Sequence, residues 1–143
     1  MLDIDGELGL KSLVFVADSL AKNIGENGAR ALLRQSGHSA AVRLMEEFPT
    51  QVEIEEAIAQ ACPVLEALGF ASQVKLVDAQ TIVVRGNAIT AMTFELGLAT
   101  PRHPIYYYAI GLFEGLVYMM SNVHVGIIRC EVEPDCETWI IGK

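Results

Sequence analysis

The chain has 143 residues, 52% hydrophobic and 20% charged, with a mean hydropathy of +0.36; a domain of that size buries roughly 70% of its unfolded surface. Ten Lys and Arg against eighteen Asp and Glu leave a formal charge of −8, without the basic footprint that phosphate binding requires, so nucleic acid is excluded as a direct partner. The apolar balance is high for a free-standing monomer and implies a second buried surface: a partner subunit, the favoured expectation, or an enclosed ligand cavity.

Residues 1–9 read MLDIDGELG, acidic where a signal peptide would be basic. From Leu10 to Leu20 the apolar positions Leu10, Leu13, Val14, Ala17 and Leu20 recur at helical intervals. NIGENG breaks that helix, and ARALLRQSG starts another that Gly37 is placed to end. HSAAVRLMEEF continues as helix to Pro49, and Arg30, Arg34 and Arg43 read as surface charges at helical spacing. His38, directly after Gly37, reads as a helix-start residue rather than a base. Thr50 with Glu53 forms a capping box for a third helix, within which Pro63 should bend or break the ladder. Gly69 stops it.

After Gly69 the period changes. SQVKLVD and QTIVVRGN alternate and predict an antiparallel hairpin, with AITAMTFEL as a third strand. ATPRHP is a turn, and Pro104 suits the first position of an apolar helix running to about Ser121. That stretch, PIYYYAIGLFEGLVYMMSN, contains Glu114 and offers about 16 apolar positions where a membrane span needs ~20, so a buried helix is expected and no membrane span. VHVGIIRC and CETWIIG close the chain as a second hairpin. No repeat or linker interrupts the sequence, and residues 1–143 are expected to form a single α+β domain: N-terminal helices, antiparallel hairpins, one long apolar helix and a C-terminal hairpin. Three cysteines without a secretion signal point to a reducing cytoplasm.

On the apolar helix, Tyr106, Ile110, Phe113 and Val117 share one face, and Tyr107, Gly111, Glu114 and Tyr118 another. Gly111 and Gly115 each lower helix propensity by ~1 kcal/mol and imply a close backbone approach. Two readings stand: an all-core helix, or a ligand pocket lined partly by Tyr106, Phe113 and Trp139. Glu114 is either a buried or interface carboxylate or an outward-facing one. The three histidines fall in different elements, and no nucleophile motif, phosphate loop or dinucleotide fingerprint is present, so the expectation is a non-enzymatic protein.

Three stretches in register, GARALLRQSGHSAA, LGFASQVKLVDAQTIVVRGNA and YAIGLFEGLVYMMSN with IIRCEVEPDCETWIIGK, resemble the 4-vinyl-reductase domain. They cover nearly everything from Gly25 to Lys143. The resemblance implies a helix-lined apolar chamber beside a twisted sheet, a homodimer built through helices, and a stand-alone domain that binds or senses an apolar, aromatic or hydrocarbon ligand. Any signal would then pass to a protein partner. The apolar helix also resembles that of TRAPP-type tethering subunits, which implies the alternative of a scaffold or assembly subunit whose chamber is filled by its own side chains. A tetrapyrrole-pathway accessory is a third class.

In the phenol-sensing relatives the resemblance points to, zinc takes two hairpin cysteines, a glutamate and a helix cysteine. The hairpin pair matches Cys130 and Cys136, but the other two positions fall on Ile127 and near Tyr106. His103, Glu131 or Glu133 would have to substitute, while His124 is too far along the strand, ~20 Å from Cys130. Zinc is therefore possible but disfavoured, and the sequence leaves any other cofactor unknown. The favoured reading is two thiols facing each other across a hairpin in a reduced protein, with a regulatory disulfide as the alternative.

Overall fold

The computed structural model describes residues 4–45 and 51–142. In chain order they form α1 (Ile4–Ile24), α2 (Glu26–Leu44), α3 (Ile54–Ala67), β1 (Gln73–Leu76), β2 (Thr81–Arg85), α4 (Ala88–Glu95), α5 (Tyr106–Ser121), β3 (Gly126–Glu133) and β4 (Cys136–Gly142). The strands make one antiparallel sheet in the order β1-β2-β4-β3, so the closing hairpin inserts β4 against β2 and leaves β3 at an edge. The architecture is α+β, with both hairpins where the alternating pattern puts them. Thr50 and Pro49 lie outside the described residues, but two expectations around them are corrected: α2 ends at Leu44 with Met45 as its C-cap, and α3 starts at Ile54 with Glu53 as its N-cap and no side-chain cap bond, so Glu53 is not the third residue of a capping box.

Helix α5 is the centre of the molecule. It is apolar on nearly every side, and a helix of that kind belongs in a core: Ile110, Phe113, Leu116 and Val117 are wholly buried. One side meets α3 and the inward residues of the sheet, Ile82, Val84, Trp139 and Ile141. The other side meets α2 at very close range. Here the expectation for Gly37 is corrected: α2 runs unbroken through it, and the glycine is a contact point with α5 rather than a stop. A β-carbon on Gly37 would collide with the Tyr108 carbonyl and Leu112 amide, one on Gly111 with the Arg34 carbonyl, and one on Gly115 would lie 2.6 Å from Ala41 Cβ. The helix ends at Asn122, which takes the left-handed conformation (φ 59°) and returns its N–H to the Tyr118 carbonyl. The backbone of Val52 is pinned to the same end through the Met120 carbonyl, at 2.9 Å.

Two further expectations are corrected. AITAMTFEL is helix α4, not a strand. The Asn87 side chain caps it by accepting from the amides of Ile89 (3.0 Å) and Thr90 (3.4 Å), after Gly86 turns the chain at φ 66°. Side chains three and four apart, Ile89, Thr90, Met92 and Thr93, are then buried together. Pro63 does not break α3, which continues through it. The proline sits on the solvent side, as does Ala59 one turn earlier, so the carbonyl that loses its donor faces water while Ala61, Cys62 and Leu65 hold the buried side.

Candidate functional site

The closing hairpin turns tightly through Pro134 and Asp135, which pairs Glu133 with Cys136 and Cys130 with Trp139. The two thiols therefore do not face each other. They are offset by three residues, ~10 Å along the strand, and an odd offset puts them on opposite faces of the sheet. One ion or one disulfide cannot join them in this register. His103 is likewise turned elsewhere. It is buried between the 101–105 turn and α1, where Nδ1 accepts from the Ile105 amide at 3.2 Å and Nε2 faces Asp18 Oδ1 at 3.4 Å. Burial holds it below the ordinary histidine range, and Nε2 makes no hydrogen bond there. Among the described residues no group of three or more His, Cys, Asp or Glu side chains is arranged to hold a metal.

The inward face of β4 carries Glu137, Trp139 and Ile141, and Cys130 stands on that same face as the partner of Trp139. Glu137 is 1% exposed. Its Oε2 accepts from Thr90 Oγ1 at 2.8 Å. The neighbouring Thr93 hydroxyl donates to the Thr90 carbonyl at 2.6 Å, so the Tyr106 hydroxyl, 3.1 Å away, must donate to Thr93. A buried polar chain thus runs from Tyr106 through Thr93 and Thr90 to the carboxyl group. It ends unfinished, because Glu137 Oε1 and Trp139 Nε1 are both buried without a hydrogen-bond partner. The indole N–H lies close enough to influence the acidity of Glu137 and of Cys130, but meets hydrogen-bond geometry with neither. Burial raises Glu137 above the ordinary carboxyl range, opposed mainly by the Thr90 bond. The Cys130 thiol is pushed up to about 12, first by burial and then by Glu137. A thiol in that state is neither a nucleophile nor a ready metal ligand.

Cys130 is half-buried and forms the floor of a cleft of about 410 Å³ between the 99–101 turn, the end of α4 and β3, with Phe94, Ala99, Pro101 and Val132 on its walls. Of the residues the sequence singled out, Tyr106, Trp139 and Cys130 therefore come together around Glu137. Only Cys130 of these lines the cleft; Tyr106 and Trp139 are buried behind it, and Phe113 lies deeper still. It packs edge-on to Trp139 (centroids 6.0 Å apart, planes at 60°) and is wholly buried in the main core beside α5. Cys136 is on the far face. Sequence reasoning missed Glu137, Thr90 and Thr93. Glu137 shares the parity of Trp139 and Ile141, which marks it as inward-facing, whereas the threonines were hidden by reading α4 as a strand.

A second cleft, about 300 Å³, continues along β3 on the other side of Cys130 and is lined by Arg34, Arg102, Tyr107 and Arg129. Glu114 organises this end. The carboxylate is 2% exposed; Oε1 accepts from Arg34 Nε at 2.7 Å and lies 3.1 Å from His38 Nε2, while Oε2 accepts from Arg34 Nη2 and from the Ile127 amide at 2.9 Å. Arg34 Nη2 also donates to the Ile127 carbonyl at 2.8 Å. A bidentate pair anchored to the start of β3 fixes the guanidinium plane. Arg30 and Arg34, one turn apart, both sit 6.0 Å from the Tyr107 ring centre.

Fold and site together define an α+β domain with two adjoining clefts on the seam between the 99–102 turn and the edge strand β3, one apolar and one cationic. None of the described helices is long and apolar enough to cross a membrane. Compared with protein-family models and with curated proteins, the chain matches none.

Proposed function

We propose that the protein binds or senses a small apolar or aromatic molecule, which it holds in the cleft over Cys130. The observation that carries this reading is a largely apolar cleft of about 410 Å³ lined by Phe94, Ala99, Pro101, Cys130 and Val132, with Glu137 and Trp139 buried behind Cys130 and not lining it. The resemblance to the 4-vinyl-reductase domain supports a ligand-binding role but points to a chamber nearer the Phe113–Trp139 pair. Binding rather than turnover fits a thiol held far above neutral acidity. The exposed apolar stripe on α1, with Leu8, Phe15 and Val16, supports a homodimer through helices, and three free thiols suit a reducing cytoplasm.

Thermal denaturation with a panel of phenols, fatty acids and tetrapyrroles tests the reading: at least one class should raise the melting temperature saturably. No shift with any class would favour the second reading, a TRAPP-type scaffold. The burial of Phe113 and Trp139 against each other beside α5 is the observation on that side.

A further inference from the structure

The arginine cleft is unexpected in this chain. Four of its ten basic residues, Arg30, Arg34, Arg102 and Arg129, gather around Tyr107 and β3, although acidic residues number eighteen. No acidic side chain lines the cleft among the described residues. The carboxylates nearby are Glu26, Glu114 and Glu131. Glu114 is buried and spent on Arg34, His38 and Ile127. Glu26 lies 3.5 Å from Arg30. The Arg129–Glu131 contact, 2.7 Å, is between two largely exposed side chains, and such a pair contributes little and yields readily to a competing anion.

The three lining guanidinium groups differ in how they are held. Arg34 is locked by Glu114 and remains about one third exposed at its outer edge. Arg102 is tied through its backbone carbonyl to Arg30 Nη1 at 3.1 Å, which fixes the turn but leaves its own side chain in solvent beside the Tyr107 hydroxyl. Arg129 projects from the edge strand. One fixed planar donor with two exposed ones is a suitable receptor for a carboxylate. The two clefts also share walls: Pro101 and Arg102 are consecutive, as are Arg129, Cys130, Glu131 and Val132, and Cys130 borders both.

We propose that the cationic cleft is a carboxylate site, and that the ligand is an aromatic or alkyl carboxylic acid. Its apolar body lies over Cys130 between Phe94 and Val132, and its carboxylate lies among Arg34, Arg102 and Arg129. This deepens the reading of the apolar cleft given above and rests on it.

Calorimetric titration with 2-naphthoate and its neutral counterpart 2-naphthamide, on the wild-type chain and on the Arg102→Gln/Arg129→Gln double variant, separates the two claims. Both arginines are on the surface, and an unchanged melting temperature verifies that the variant folds. The wild type should prefer the carboxylate by roughly tenfold or more, ~1.4 kcal/mol. The double variant should lose that preference while keeping its affinity for the amide. Equal binding of both probes by the wild type, or a preference untouched by the double substitution, overturns the carboxylate site and leaves the apolar cleft standing. Binding of neither probe overturns both. Naphthoate binding that depends on the arginines, without any amide binding, upholds the anion site and removes the apolar one.

Discussion

Glu114→Gln is a nearly isosteric change with a calculable penalty. Two carboxylate oxygens serve Arg34 Nε, Arg34 Nη2, His38 Nε2 and the Ile127 amide. A carboxamide offers one acceptor oxygen and one donor NH2. If the NH2 faces Arg34 Nη2 and Ile127, two donors meet a donor. In the other orientation it faces Arg34 Nε and His38. Each arrangement leaves a guanidinium N–H opposed and removes the charge that compensates Arg34. Breaking a buried ion pair costs about 3–5 kcal/mol, but Arg34 is one third exposed, so water screens part of that. The expected destabilisation is about 2–4 kcal/mol, within the roughly 5–15 kcal/mol by which domains are stable. With an m-value of about 2 kcal/mol/M, the urea midpoint should fall by roughly 1–2 M. A midpoint within about 0.3 M of wild type would refute the reasoning, because the cluster would then carry no net stabilisation.

Gly111→Ala gains helix propensity of ~1 kcal/mol but drives a methyl group into the Arg34 carbonyl of α2. Backbone is less able to yield than a side chain, and a net loss of about 2 kcal/mol or more in chemical denaturation is expected; a variant as stable as wild type would contradict the close packing of α2 on α5. Glu137→Gln should change the pH dependence of stability. Burial raises the native carboxyl above its unfolded value, so its contribution is full at pH below the unfolded value and is lost as pH rises through the native one. The urea midpoint of the variant should therefore gain on wild type as pH rises above the ordinary carboxyl range, and a constant offset would count against a buried, raised carboxyl. Under mild oxidation the intact fold should form no Cys130–Cys136 disulfide, as judged by peptide mapping; efficient crosslinking would mean that the hairpin register is wrong.

The sequence made the hairpins and the central helix legible because their signals are local. Alternation marks Val74, Ile82 and Val84, and an unbroken apolar run marks α5. It misled where a short element is held by its ends. Residues 88–95 alternate passably as a strand, but Asn87 and Gly86 were the better guide, being a cap and a left-handed turn. Gly37 looked like a stop because its reason, the approach of α5, lies more than seventy residues away. The thiols seemed opposed because their spacing is symmetrical about Glu133; Pro134-Asp135 as a two-residue turn shifts the pairing and sends Cys136 to the other face. Tyr106, Trp139 and Cys130 were singled out from composition and resemblance, and only Cys130 lines a cleft, whereas the arginine cleft depends on three segments whose proximity no periodicity reveals.

The account turns on whether a small molecule occupies the cleft over Cys130, and the chain carries its own reporter. Trp139 is its single tryptophan, and its indole N–H is the unpartnered group behind the cleft floor. In a ¹H–¹⁵N spectrum it gives one side-chain indole resonance. Titration with a ligand that raises the melting temperature should move that resonance saturably, and Ala99→Phe, which fills the cleft from its wall, should abolish the movement. A resonance that stays in place while the ligand binds would contradict the site.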